Sequence, residues 1–177
     1  MKQKFFFFTL GLILLLGTGS CGDDTLTCNN VRVKQTLHEL LYEKGEPYLV
    51  YAGGAFNMQI PKDSFKDFCM NRVKIDMVRT LSRDKELKRC QCAAQLHAVF
   101  RPDIQQKFDS FKRINPDMAS LMKPVDITYS IQETDDEQVL VELEIDDEDC
   151  VTKLMGLFAV EEFIKQNSGN KNLEETD

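Results

Sequence analysis

Six cysteines, two histidines and an uneven spread of carboxylates are the residues of this chain with chemistry to offer. The cysteines are Cys21, Cys28, Cys69, Cys90, Cys92 and Cys150. Cys90 and Cys92 form a C-x-C pair without a companion. Zinc sites favour a C-x₂₋₄-C spacing and four N or S ligands, so no metal is expected here. Disulfide chemistry fits better, with Cys28, Cys69, Cys90, Cys92 and Cys150 as candidates. Residues two apart on a strand are too far separated to bridge, so Cys90 and Cys92 are not expected to pair with each other. Cys28 is expected to pair with one of them.

The other chemistry is sparse. His38 lies one position from an apolar helical stripe, and His97 lies on the polar face of an alternating segment. No serine or cysteine sits in a nucleophile-elbow pattern, and HExxH is absent. Asp146 to Asp149 lacks the glycine and the ligand order of a calcium loop and reads as a solvated turn at a helix start. Glu142 and Glu144 project the same way from one strand. General acid–base work would need a cleft to split their pKa values, and the sequence shows none. The expectation is a non-catalytic chain without cofactor.

The first residues carry a different signal. Lys2 and Lys4 precede an apolar run from Phe5 to Leu16, and Gly17 to Ser20 are small. That is the layout of an export signal. Cys21 directly behind it resembles the lipobox of bacterial lipoproteins, with Ser20 and Cys21 in its last two positions and Thr18 departing from the usual leucine. With Asp23 and Asp24 behind the cysteine, the leader is similar to those of Bacteroidetes lipoproteins. The resemblance is confined to about residues 1–24. It implies a signal peptide over 1–20, lipid on Cys21, a tether over 21–28 and attachment to the cell envelope, at the outer membrane on its periplasmic or outer side. Cleavage before Cys21 without lipid, giving a soluble secreted domain, is the alternative. The apolar run is shorter than the ~20 residues of a membrane-spanning helix.

Charge narrows the partners. The chain has 22 Lys and Arg against 29 Asp and Glu, a net charge of −7. An acidic chain lacks the cations that neutralise phosphates, so nucleic acid is not expected. Membrane contact has to come through the lipid.

Periodicity supplies the elements. Val33, Leu37, Leu40 and Leu41 define a helix over 30–44, started by Asn29 or Asn30 and ended at Gly45 and Pro47. Residues 46–60 are ambiguous, with Tyr48 to Tyr51 as a possible short strand broken by Gly53 and Gly54. One or two helical turns over 61–70 would point Phe65, Phe68 and Cys69 inward. Val73, Ile75 and Met77 alternate with polar neighbours. A turn is expected over Ser82 to Lys85. Cys90, Cys92, Ala94, Leu96, Ala98 and Phe100 then share one strand face, with Gln91, Gln95 and His97 opposite. Asp103 is expected to cap a short helix carrying Ile104, Phe108 and Phe111, and Asn115 to Asp117 to turn the chain. A second hairpin follows, 125–131 and 139–145, around Thr134 to Glu137. Asp149 is expected to cap a helix over 150–166 with Glu161 and Lys165 as an i,i+4 pair. A disordered tail is expected over 167–177.

Two hairpins between amphipathic helices imply an α+β domain over 29–166 with an antiparallel sheet of about four strands. The arrangement loosely resembles cystatin-like or NTF2-like folds, a likeness that carries no function. The helix-free sheet face, with His97, Gln95, Glu142 and Glu144, is the candidate ligand face. The expected role is a non-catalytic binding domain for a protein, glycan or toxin, or else an envelope assembly factor.

Overall fold

The computed structural model describes residues 27–55, 57–114, 118–136, 138–144 and 148–169. The expected signal peptide, Cys21, the expected turn over Asn115 to Asp117, residues Ile145 to Asp147 and those from 170 lie outside them. The architecture is α+β: helix α1 (Val31–Gly45), α2 (Leu49–Ala55), α3 (Lys62–Asp67), strands β1 (Val73–Asp84) and β2 (Arg89–Ala98), α4 (Pro102–Ile114), α5 (Met118–Leu121), β3 (Val125–Glu133), β4 (Val139–Glu144) and α6 (Glu148–Gly169). The four strands form one antiparallel sheet in the order β1-β2-β3-β4.

α1 starts where its cap permits. The Asn30 side chain accepts from the Arg32 N–H at 2.8 Å, and Val33, Leu37 and Leu41 are buried at i, i+4 and i+8. Gly45 does not adopt the expected left-handed cap conformation. It stays right-handed and buried, and the position needs glycine because a Cβ there would lie 2.5 Å from the Phe65 ring. The chain then passes through a 3₁₀ turn, Glu46–Tyr48, straight into α2. The strand considered for Tyr48 to Tyr51 is therefore a helix, and Gly53 does not break it. A Cβ on Gly53 would meet the Met58 carbonyl at 2.5 Å, so this glycine lets the following loop close onto α2.

α3 runs into a π-helical turn, Phe68–Arg72, and Phe65, Phe68 and Cys69 are buried as expected. His38 of α1 holds this turn by donating from Nδ1 to the Cys69 carbonyl at 2.8 Å. Burial, reinforced by the nearby Lys74 charge, holds the His38 pKa below the usual histidine range. The unfolded chain therefore takes up the proton first as pH falls. Stability should be level above the unfolded pKa and decline below it until the folded pKa is passed. Denaturant midpoints measured between about pH 7.5 and about pH 5 should fall less steeply in His38→Gln than in the parent. Identical slopes would contradict this account.

β1 extends further than expected, through Ser82 to Asp84. The turn is Lys85 to Lys88, where Asp84 Oδ1 accepts from the N–H groups of Glu86 and Leu87, both at 3.0 Å. Its register with β2 shifts between Asp76 and Arg79 and again between Thr80 and Ser82. These bulges turn Met77 out of the core, at φ 49°, although its spacing from Val73 and Ile75 placed it inside. β2 alternates as expected, with Cys90, Cys92, Ala94 and Leu96 buried against the helices.

Pro102, not Asp103, occupies the first position of α4, where a missing N–H costs nothing. Asp103 lies in the first turn, 3.4 Å from Arg101. α6 is buried around most of its circumference from Cys150 to Ile164 and contacts α1, α2, α4 and α5. Phe158 packs 5.1 Å from Phe65 and 5.3 Å from Phe68, and Phe163 lies 6.5 Å from Phe111. The helix begins at Glu148, so Asp149 falls inside its first turn. It also runs on to Gly169, past the boundary expected at 166.

Candidate binding face

Two sites arise from the β2 alternation, one on each side of the sheet. On the helix side, Cys28 and Cys92 form a disulfide across 64 residues, with Cα atoms 5.8 Å apart. The expectation that Cys28 pairs with Cys90 or Cys92 is thus resolved to Cys92. Cys28 is itself buried, so the folded domain includes this residue. The Tyr129 hydroxyl, on the residue of β3 opposite Cys92, donates to the Cys28 carbonyl at 2.7 Å. Burial raises the Tyr129 pKa to about 12, so this donor keeps its proton at any physiological pH. Tyr129→Phe would leave a buried carbonyl unsatisfied and should cost about 1–2 kcal/mol in chemical denaturation. An unchanged midpoint would mean that water replaces the hydroxyl.

The remaining candidate cysteines do not form a cluster for chemistry. Cys69 is a buried thiol whose pKa burial pushes up to about 12, which leaves it inert as a nucleophile. Cys90 and Cys150 are buried in the same core. Among the described residues, no group of three or more His, Cys, Asp and Glu is disposed to hold a metal ion.

Among the described residues, no helix covers the other side of the sheet. Its side chains alternate with the buried ones, and four of them were expected there: His97, Gln95, Glu142 and Glu144. All four are on this face, but they separate into two groups. At one end, His97 Nδ1 lies 3.5 Å from Asp76 Oδ2, and Gln95 donates to Asp126 at 3.1 Å. At the other end, Gln91 Nε2 donates to Glu144 Oε2 at 2.6 Å and Ser130 Oγ to Glu142 Oε2 at 3.2 Å. Gln91 pairs with Ser130 and Ser130 with Glu142, so six residues of β2, about 20 Å, separate the Glu142 row from His97. A histidine and a carboxylate that far apart cannot share a substrate atom.

Arg89 was missed in the sequence, and it is central to the second group. It pairs with Gln132 in register and reaches diagonally over Ser130. Its Nη2 donates to Ser130 Oγ at 3.0 Å and lies 3.5 Å from Glu142 and 4.0 Å from Glu144. Ala93 and Ser130 form the floor of the face and are almost fully covered by these longer side chains.

A groove of about 670 Å³ lies at the far end of α1, lined by Leu49, Val50, Met58 and Ile60. The charged residues lining it are Glu46 and Lys62, which pair with each other. That leaves no group there for acid–base work.

No family model, no curated protein and no solved structure matches this chain. No helix among the described residues is long and apolar enough to cross a membrane.

Proposed function

We propose that this chain is an exported lipoprotein of the cell envelope, held to the membrane by lipid on Cys21, whose folded domain binds a partner on the helix-free face of its sheet. The observation that carries the reading is the leader: a basic start, an apolar run and small residues ending at Cys21, seven positions ahead of Cys28. Two features of the domain support it. The Cys28–Cys92 bridge suits an oxidising compartment. It also fixes the root of the tether to β2, so pull on the anchor is delivered to the middle of the sheet. The polar face with its two acidic groups supplies a surface for a partner without a catalytic arrangement.

The test is the intact mass of the protein extracted from its native membrane, with and without reduction. A chain beginning at Cys21 with added acyl mass is expected, and the shift on reduction counts the bridges. A chain recovered from the soluble fraction, beginning at Cys21 and carrying no lipid, would overturn the anchor and leave a secreted domain.

A further inference from the structure

One hairpin of this chain is strongly acidic. Residues 125–144 contain seven Asp and Glu and no Lys or Arg; without those seven, the 29 acidic and 22 basic residues of the chain would balance. The fold places that segment at one side of the sheet, with β4 outermost. Glu142 and Glu144 stand two residues apart on β4, exposed on the helix-free face.

A cation of the chain itself already reaches toward this pair. The Arg89 guanidinium lies 3.5 Å from Glu142 and 4.0 Å from Glu144. Charge-assisted bonds between such groups close to about 2.7–2.9 Å. Arg89 is therefore near both carboxylates and hydrogen-bonded to neither, and its Nε is buried with no hydrogen-bond partner. Each carboxylate takes one neutral donor, Ser130 or Gln91, through its Oε2. An ionised carboxylate can accept a bidentate arginine, so both retain unused capacity.

The two outer strands also differ. β1 is bulged twice, which spoils its edge for pairing with another strand. β4 pairs with β3 in unbroken register and carries no lysine or proline. The exposed Leu140 adds an apolar contact at the same face.

We infer that the face takes an arginine-bearing segment of a protein partner laid along β4, with its guanidinium groups bonding Glu142 and Glu144. This names the partner class for the binding face proposed above and rests on that reading. The same charge repels nucleic acid and anionic lipid.

The test uses the full mature chain carrying Cys21→Ser and a fluorescent peptide of alternating arginine and valine, read by anisotropy at about 0.15 M salt. The arginine peptide should bind, and its glutamate counterpart should not. Glu142→Gln with Glu144→Gln should weaken binding about tenfold or more, whereas Asp135→Asn with Asp136→Asn, an equal loss of charge at the turn, should change it by less than about twofold. Arg89→Ala should tighten binding by vacating the pair. Thermal unfolding of each variant confirms that it is folded. Equal weakening by the two double variants would mean diffuse attraction and overturn the inference, as would no binding of the arginine peptide. A neutral glycan held on this face independently of salt would overturn the inference while leaving the broader binding role intact.

Discussion

Loss of the Cys28–Cys92 bridge, by Cys28→Ala with Cys92→Ala, is expected to lower stability by about 4 kcal/mol. The bridge closes a loop across 64 residues that includes α1, α2, α3, all of β1 and the start of β2. Chain-entropy reasoning assigns about that much to a loop of this size in the unfolded state. For a domain of roughly this length, each kcal/mol moves the melting temperature by about 2–4 °C, so a fall of about 8–16 °C is expected. Alanine is the right replacement because both positions are buried in the core, where a serine hydroxyl would add its own penalty. Calorimetry of the variant, and of the parent with a reductant, measures the effect. A loss under about 1 kcal/mol would mean that the N-terminal segment is held by other contacts, with Tyr129 the first candidate. The two restraints meet at Cys28, so Tyr129→Phe should cost less in the bridge-free background than in the parent.

The bridge also shows what could be read from the sequence. Period-two alternation places Cys90 and Cys92 on the inward face of a strand, and the leader's resemblance to an export signal makes disulfides the natural reading. Identifying Cys92 as the partner needed the register, because both cysteines face the core equally well. The hairpins were legible for the same reason: one face is apolar, and a strand side repeats every two residues. Met77 was not, because bulges break that count without leaving a local sign. The α2 helix was not, because an apolar run of a few residues followed by two glycines suits helix, strand or loop equally. That His97, Gln95, Glu142 and Glu144 share one side of the sheet follows from alternation alone. Arg89 and the division into two groups were invisible, since they depend on diagonal neighbours across strands. The sequence shows Glu161 only as half of an i,i+4 pair, and the burial of α6 on most of its circumference changes its meaning.

Glu161 gives the second large expected effect. Its side chain is 1% exposed, and neither carboxylate oxygen has an aligned hydrogen bond. Lys165 Nζ lies 2.9 Å from Glu161 Oε1 but directs its aligned bond to Glu162 Oε1 at 2.7 Å. Burial works to lower the Lys165 pKa, and its contacts with Glu162 and Glu161 outweigh that and raise it. This lysine therefore stays charged, and it is the cation beside a carboxylate that has left water. Removing one partner of a buried pair typically costs about 3–5 kcal/mol, because the other charge remains in the interior. Lys165 is 37% exposed, so solvent shares in the compensation, and Lys165→Met should cost about 2–3 kcal/mol. Glu161→Met should behave in the opposite way. It removes the buried charge and leaves Lys165 with Glu162, so stability should be unchanged or rise by about 1 kcal/mol. The two variants change the same ion pair, yet their expected effects differ in size and in sign. Equal destabilisation in urea titrations would refute the account and point to a hydrogen-bonding role for Glu161.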